Sequence, residues 1–356
     1  MFVHKDSIKN IWNSHTKKIL QQTLNSGMKI PACQHCWDLE NAGSGSPRTV
    51  FNQLFQDVVP DPSQPKIFVL KPGNTCNLSC RMCNPATSSS WYKDAHKMAQ
   101  KREGFIGTLR DYTKNFENIR NSFSQDNEFW NDFVEWLPGL EFLDVYGGEP
   151  FLIDGLFKSI RQVGEEGVKN VTIQFHTNAQ KINETYLKSL QGFKKVVIGL
   201  SIDSHVPEQM EYIRNGCQAN VVYENSEKII KFCKENHNME CMITLTVTTL
   251  NIYYIDEIVN ELKDRFNIKV FLNFVTGPDE EYDIRHLPLS IREIIAKKLE
   301  KSGECQQAIN FLMQTIPGCD IIWPKFWKTT KMLDEIRNQS FENTFTEYYE
   351  ILKEYL

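Results

Sequence analysis

The chain has 356 residues, of which 41% are hydrophobic and 24% are charged, the balance of a soluble globular protein. Its net charge of −5 argues against nucleic acid and against a membrane surface as partners, since both are bound by basic faces. No apolar run reaches the length of a membrane span, and the N-terminus lacks a signal-peptide core, so we expect a cytoplasmic protein with reduced thiols.

The predicted elements begin with a helical segment, IKNIWNSHTKKILQQTL, followed by a proline-rich linker at 58–66. Short β-branched runs then predict six strands, and amphipathic patterns at i, i+3 and i+4 predict helices between most of them. After about residue 288 only helical patterns remain. The strand runs are KIFVL (66–70), LEFLDVY (140–146), VTIQFH (171–176), KVVIGLSI (195–202), CMITLTV (241–247) and KVFLNFV (269–275).

Alternating strands and helices predict an α/β fold with a parallel sheet, either open or closed into an incomplete barrel. We expect three parts: an N-terminal segment (1–60), a core (61–288) and a helical C-terminal region (289–356). The core holds an insertion within 71–139, and a helix, NEFWNDFVEWLPG, closes that insertion before the second strand.

Polar and glycine-rich residues follow the strands at the edge where carboxyl ends of parallel strands meet. The first strand leads into TCNLSCRMCNP, which places Cys76, Cys80 and Cys83 at the spacing C-x3-C-x2-C. The second strand leads into Gly147-Gly148-Glu149-Pro150. Three close thiols suit a soft metal or an iron–sulfur cluster. Structural zinc needs a fourth ligand, whereas a cube held by three cysteines leaves one iron open to a small molecule.

This cysteine loop, the glycine-glycine-glutamate-proline sequence and the later segment SIDSHVPEQMEYIRNG together resemble the radical S-adenosylmethionine superfamily, over about residues 66–275. The resemblance implies a partial (β/α)6 TIM-like barrel. It also implies that Cys76, Cys80 and Cys83 bind three irons of a [4Fe–4S] cluster, whose fourth iron binds S-adenosylmethionine.

The resemblance further implies a set of cofactor contacts. Gly147, Gly148 and Glu149 would line the amino group, and Arg214 would pair with the carboxylate. The remaining implied contacts are Ser201 and Asp203 at the ribose, Val247 and Met82 at the adenine, and Asn178 and Asn251 as further polar contacts.

Simpler interpretations remain open for several of these residues. Family members often carry an aromatic residue where Met82 stands. Ser201 and Asp203 would also fit as helix caps, and Arg214 as a surface ion pair. We expect His176 to be a hydrogen-bonded residue of the rim rather than a base.

Cys33 and Cys36 form a separate C-x2-C pair upstream of the core. Its setting resembles an N-terminal auxiliary module of the twitch or SPASM type, although no cysteine precedes Cys33 here, so the module looks truncated. The pair could join a second iron–sulfur cluster, hold zinc as a partial site, or remain unmetallated. The other five cysteines are interpreted as small buried side chains.

The sequence therefore predicts a radical enzyme, oxidoreductase or lyase in type, that cleaves S-adenosylmethionine reductively and removes a hydrogen atom from a substrate. We expect an external low-potential electron donor and a peptide or small-molecule substrate. Two alternatives are a non-catalytic iron–sulfur or zinc module on the same fold and a cluster used only for electron transfer. The second alternative would call for full thiolate ligation, which three cysteines do not supply.

Overall fold

A computed structural model describes residues 7–41, 46–101, 127–276, 280–303 and 305–355. Within these ranges six strands form a parallel sheet whose spatial order follows the chain, and β1 and β6 are its edges. This confirms the predicted α/β fold, and the open six-stranded arrangement is that of a partial (β/α)6 barrel. The strands are β1 (Ile67–Leu70), β2 (Phe142–Val145), β3 (Thr172–Thr177), β4 (Lys195–Ser201), β5 (Met239–Val247) and β6 (Val270–Phe274).

The register places the carboxyl ends of neighbouring strands side by side. Leu70 pairs with Val145, and Thr177 of β3 pairs with Leu200 of β4. Inner strands carry apolar residues that are fully buried, such as Ile198 at 0% exposure, because helices cover the sheet. The residues that follow each strand therefore meet at one rim, as expected.

Helices lie between the strands and on both flanks of the core. Within the described ranges, four helices precede the sheet: α1 (Ile8–Trp12), α2 (His15–Asn25), α3 (Gln34–Asn41) and α4 (Pro47–Leu54). The described helices of the core are α5 (Tyr92–Lys101), α6 (Asn127–Trp136), α7 (Asp154–Val168), α8 (Glu184–Ser189), α9 (Pro207–Ile213), α10 (Ala219–Lys234) and α11 (Ile255–Phe266). The C-terminal helices are α12 (Leu289–Glu300), α13 (Gln306–Leu312), α14 (Cys319–Arg337), α15 (Phe341–Thr344) and α16 (Thr346–Leu352).

The single helix expected near the N-terminus is two helices, because Ser14 caps α2 by accepting from the Lys17 N–H at 3.2 Å. α4 packs the rings of Phe51 and Phe55 against Phe142, the first residue of β2. The end of α4 therefore contacts the amino end of β2. The division of the chain at residues 60 and 288 stays a prediction, and part of the expected insertion, 102–126, lies outside the described residues.

The predicted helical C-terminal region is confirmed. Its helices share an aromatic cluster with the core, in which Phe345 packs edge to face against Tyr212 with ring centroids 5.2 Å apart. Such pairs bury large apolar areas and hold α14 to α16 against α9. Among the described helices, none combines the length and the apolar character that crossing a bilayer would take.

Candidate functional site

The cysteine loop that follows β1 is held by backbone hydrogen bonds to the end of α9 and the residues just after it. The Ser79 N–H donates to the Asn215 carbonyl at 2.9 Å, and the Arg81 N–H donates to the Ile213 carbonyl at 2.8 Å. The indole of Trp91 donates to the Cys80 carbonyl at 2.7 Å. Bonds from two distant parts of the chain fix the loop backbone, so its three cysteines have defined positions.

The three thiols converge at the end of β1. Cys80 and Cys83 hydrogen-bond to each other through their sulfurs, and this bond raises the pKa of Cys80 and lowers that of Cys83. Burial raises the pKa of Cys76 to about 11. A metal bound at these sulfurs would stabilise their thiolate forms, so metal binding would release protons from the loop.

The glycine loop after β2 packs directly on the start of the cysteine loop. The Glu149 N–H donates to the Thr75 carbonyl at 2.8 Å, one residue before Cys76. Gly148 has a positive φ of 62°, and a Cβ at this position would lie 2.3 Å from the same carbonyl oxygen. Only glycine permits this approach, so the glycine residues bring two backbone segments together at the site.

Glu149 is fully buried, and its carboxylate ties the glycine loop to the end of β3. It accepts from the Thr177 hydroxyl at 2.7 Å, the Asn178 N–H at 2.8 Å and the Phe151 N–H at 3.2 Å. Burial raises the pKa of Glu149 to about 7 despite these donors. Its carboxylate is thus occupied by the protein, and its placement beside a cofactor amino group stays a prediction.

Asn178 links the end of β3 to the cysteine loop. Its side-chain amide donates to Asn77 Oδ1 at 3.0 Å and lies 3.9 Å from Cys76 Sγ. The backbone N–H of Leu78 lies 3.5 Å from the same sulfur. Donors aimed at a cysteine sulfur are the contacts that tune an iron–sulfur cluster.

Asp203 and Arg214 form a buried ion pair beneath the cysteines. Arg214 Nε lies 2.7 Å from Asp203 Oδ2, although the contact is not aligned as a hydrogen bond. Burial disfavours the charged form of Arg214, but attraction to the Asp203 carboxylate outweighs this effect, so the pKa of Arg214 is raised. Arg214 Nη1 lies 4.0 Å from Cys80 Sγ, so a guanidinium faces the thiols.

Two of the simpler interpretations are wrong for these residues. Asp203 accepts from the Thr246 N–H of β5 at 2.8 Å, and Val206 precedes α9 without a side-chain cap, so Asp203 is not a helix cap. Arg214 is 8% exposed and therefore not a surface residue. His176 is hydrogen-bonded to Thr244 at 3.1 Å, as expected of a rim residue.

The other predicted contacts lie on the same rim at different depths. Asn251 is fully buried and donates to the carbonyls of Thr246 at 2.9 Å and Asp203 at 3.1 Å, which makes it a brace between β4 and β5. Val247 ends β5 at 0% exposure, and Ser201 ends β4 half-buried. Their roles toward a cofactor stay predictions.

Met82 lines a cavity of about 250 Å³ beside the cysteines. The cavity also contacts Cys83, Trp91 and Met98, and Thr329 of α14 lies on its far side. Met82 therefore faces open space next to a candidate ligand, which is compatible with the predicted contact to a planar ring.

The C-terminal helix α14 clamps the cysteine loop, which the sequence did not reveal. Arg337 donates to the Ser79 carbonyl at 2.9 Å and pairs with Asp94 of α5 at 2.9 Å. Arg81 pairs with Asp334, which also accepts from the Tyr212 hydroxyl at 2.8 Å. These partners are far apart in the chain, so the sequence did not reveal the contacts. The only local indication was the position of Arg81 between Cys80 and Cys83.

Cys217 lies beside this site, where its N–H donates to the Arg214 carbonyl at 3.0 Å. Cys33 and Cys36 are half-buried at the start of α3. Cys233 of α10 and Cys241 of β5 hydrogen-bond through their thiols, a pairing that the interpretation as isolated buried side chains missed. Spacing in the sequence gave no indication of it, because a helix end and a strand start bring them together.

The cysteine loop offers soft thiols, which are the ligands that iron–sulfur clusters use. Among the described residues, no three His, Cys, Asp or Glu side chains are placed to hold one metal ion. The donors aimed at Cys76 Sγ and the guanidinium near Cys80 Sγ are contacts of the kind that tune an iron–sulfur cluster, so the residues present fit such a group.

Comparison with known proteins gives similarity at the level of structure alone. No family model matches the chain, and no curated protein matches it. Among solved structures, native anSMEcpe with bound AdoMet is similar at 19% identity and a TM-score of 0.44, over 67% of this chain and 60% of that one.

Two further structures have comparable scores. SuiB of Streptococcus suis bound to S-adenosylmethionine is 18% identical with a TM-score of 0.43, over 87% of this chain and 63% of that one. TsrM of Kitasatospora setae, a radical S-adenosylmethionine methyltransferase with cobalamin and a [4Fe–4S] cluster bound, is 12% identical with a TM-score of 0.39, over 71% and 38%. This chain thus spans about 60% of the length of anSMEcpe and SuiB. At this distance, function has to be argued from the site's own residues.

Proposed function

We propose that the chain is a radical S-adenosylmethionine enzyme. The observation that carries the proposal is the convergence of three thiols, from Cys76, Cys80 and Cys83, at the carboxyl end of β1. The glycine loop packs on one side of them and the Arg214 guanidinium faces Cys80. A cluster on these thiols with bound S-adenosylmethionine would supply one-electron cleavage to a 5′-deoxyadenosyl radical, which removes a hydrogen atom from the substrate.

The residues of the chain would bind and position the cofactor. Arg214 offers a planar guanidinium for the methionine carboxylate, and its Nη1 lies beside the Cys80 sulfur. Gly147 and Gly148 are half-buried and carry no side chain of their own, which would let a ligand's amino group come close to their backbone. Ser201 and Val247 end two neighbouring strands, where ribose and adenine would lie.

The substrate that we favour is a peptide. SuiB, one of the similar structures, has also been solved bound to its precursor peptide SuiA. A cavity beside Cys83 and Met82 could take a side chain or another small group. We propose an external low-potential reductant as the electron source. The C-x2-C pair at Cys33 and Cys36 remains a candidate auxiliary site, and a second cluster there would relay electrons or bind substrate.

The experiment is anaerobic reconstitution with iron and sulfide, followed by addition of S-adenosylmethionine and dithionite. We expect methionine and 5′-deoxyadenosine, and we expect Cys80→Ala to abolish both. Cys305→Ala is the matched control, because Cys305 is equally buried but lies in the C-terminal region. Substrate-free cleavage tests the cofactor chemistry without knowledge of the substrate.

The alternative function is a non-catalytic iron–sulfur or zinc module on the same fold. A colourless protein that retains zinc, or a cluster whose electron paramagnetic resonance spectrum is unchanged by S-adenosylmethionine, would support that alternative. The buried Asp203–Arg214 pair beside the thiols favours the enzyme, because neither a structural zinc site nor an electron carrier needs a charged ligand pocket.

A further inference from the structure

The first strand of the sheet has an open edge. β1 pairs with β2 on one side, and it is a terminal strand of the sheet that the described residues form. The Leu70 carbonyl faces β2, since it accepts from the Tyr146 N–H at 3.0 Å. Successive residues of a strand direct their backbone groups to opposite sides, so Val69 presents its N–H and carbonyl to the open edge, and Ile67 does likewise. Such an edge is a template for pairing with another extended chain.

A largely apolar groove of about 580 Å³ lies beside this edge, a volume within the ~300–1,000 Å³ usual for ligand sites. Val69 lines the groove and is 46% exposed. The residues that line it outside β1 come mainly from α1, α2 and α6, where Trp12 and Trp136 pack edge to face with ring centroids 6.0 Å apart. Trp12 also donates to the Pro62 carbonyl at 3.0 Å, so this wall of the groove is held in place.

The charges that line the groove are positive. Lys17 and Lys71 both line it, and none of the described residues that line it is acidic. Leu20, which also lines the groove, is 40% exposed. The open edge therefore suits an extended backbone, the walls suit apolar side chains, and the lysines suit carboxylates.

We propose that the open edge of β1 binds an acidic peptide segment, which adds to the sheet as a further strand and places apolar side chains in the groove. The inference rests on the proposed function in one respect, because it makes this segment part of a peptide substrate. β1 leads directly into the cysteine loop, so a peptide on this edge has one end near the candidate cluster site. The segment on β1 would then serve for recognition, and a neighbouring residue of the same peptide would react.

A second copy of the chain suits this edge less well than an acidic peptide does. Two β1 strands that pair around a twofold axis present the same surface to each other. Lys17 and Lys71 of both copies would then lie at one interface, and like charges across an interface oppose association.

The test is a fluorescence-anisotropy titration of labelled peptides with the reconstituted full chain at low ionic strength. The probe peptide EVTVTVE alternates apolar and polar residues, as a half-buried strand does, and carries glutamate at both ends. The comparison peptide KVTVTVK differs only in the lysine at both ends. We expect EVTVTVE to bind about fivefold more tightly or better, the range of two exposed charge pairs whose sign is reversed.

Val69→Pro tests the pairing of the peptide with the strand edge. Proline removes the N–H that faces the open side, and edge strands tolerate proline at such positions. Loss of this donor should weaken binding of EVTVTVE about three- to tenfold. Leu272→Pro is the matched control on β6, the other edge strand. The Lys269 carbonyl accepts from the Ile243 N–H of β5 at 2.9 Å, so Leu272, three residues on, faces the open side of β6, and its replacement should leave binding unchanged.

Lys17→Glu tests the charge of the groove without dependence on the strand. Lys17 is the third residue of α2, and Ser14 caps that helix, so a glutamate there completes a capping box and keeps the helix stable. Reversal of this charge should weaken binding of EVTVTVE and strengthen binding of KVTVTVK. A loss of fold would weaken both peptides alike, so only the exchanged preference supports the proposal.

Several outcomes would overturn the proposal. They are no binding of EVTVTVE up to about 300 μM chain, equal weakening by Val69→Pro and Leu272→Pro, and an unchanged peptide preference in Lys17→Glu. A dimer in sedimentation velocity that Val69→Pro dissociates would make a second copy the occupant instead. Cleavage of S-adenosylmethionine without peptide binding refutes this groove alone, whereas peptide binding without cleavage refutes the proposed function and leaves the groove as a peptide site.

Discussion

Replacement of Gly148 by alanine tests the close packing of the glycine loop on the cysteine loop. Gly148 has a φ of 62°, and an added Cβ would lie 2.3 Å from the Thr75 carbonyl oxygen and 3.1 Å from the Asn74 carbonyl carbon. That oxygen already accepts from the Glu149 N–H at 2.8 Å. The oxygen must therefore move by about an ångström, the scale on which packed groups respond to overpacking.

The expected loss of stability has two parts. An L-residue in the left-handed region costs roughly 1–2 kcal/mol. The displaced carbonyl adds about 1–3 kcal/mol, the usual cost of overpacking. Gly148→Ala should therefore lower the free energy of unfolding by about 2–5 kcal/mol. Because Thr75 precedes Cys76, the same shift should also reduce the iron that the chain retains after reconstitution.

Gly27→Ala is the matched control. Gly27 has a φ of 79° at the end of α2, and an added Cβ would have no atom within 4 Å, so only the backbone cost applies. Urea unfolding followed by circular dichroism gives the two free energies, and iron and sulfide analysis gives the cluster content. Equal loss of stability in the two variants, with equal iron content, would refute the close approach of the two loops.

Three further predictions concern charged groups. Arg214→Lys should weaken S-adenosylmethionine binding about tenfold or more in equilibrium dialysis, because an ammonium cannot make the bidentate contact. Arg337→Met should cost about 3–5 kcal/mol by leaving the buried Asp94 unpaired. Lys101→Met, which breaks an exposed pair between the same two helices, should cost under about 1 kcal/mol in the same urea assay, and similar losses would argue against the clamp. Burial raises the pKa of Glu149 to about 7, so the folded state binds its proton more tightly than the unfolded state. The contribution of Glu149 to the free energy of unfolding should be fully present at low pH and should fall by about 3 kcal/mol as the pH rises to 7. Urea unfolding midpoints measured at stepped pH should therefore decline over this range in the unsubstituted chain, and this decline should be absent in Glu149→Gln.

Local patterns were sufficient for the fold. Each of the six β-branched runs is a strand within one or two residues of its predicted bounds, because short apolar runs between amphipathic helices are stable only in a covered parallel sheet. The same patterns missed the short helices α8 and α9. They also joined α1 and α2 into one helix, although α1 ends at its C-cap Asn13 and Ser14 caps the start of α2.

The sequence by itself determined the candidate ligands, since Cys76, Cys80 and Cys83 lie within one short loop and their spacing is a local property. Only the tertiary structure showed what surrounds them. Arg337 reaches Ser79, and Arg214 turns its guanidinium toward Cys80, across more than a hundred residues of chain. Such contacts depend on how helices and strands pack in three dimensions. Spacing and periodicity describe only neighbours along the chain, so they carry no information about those partners.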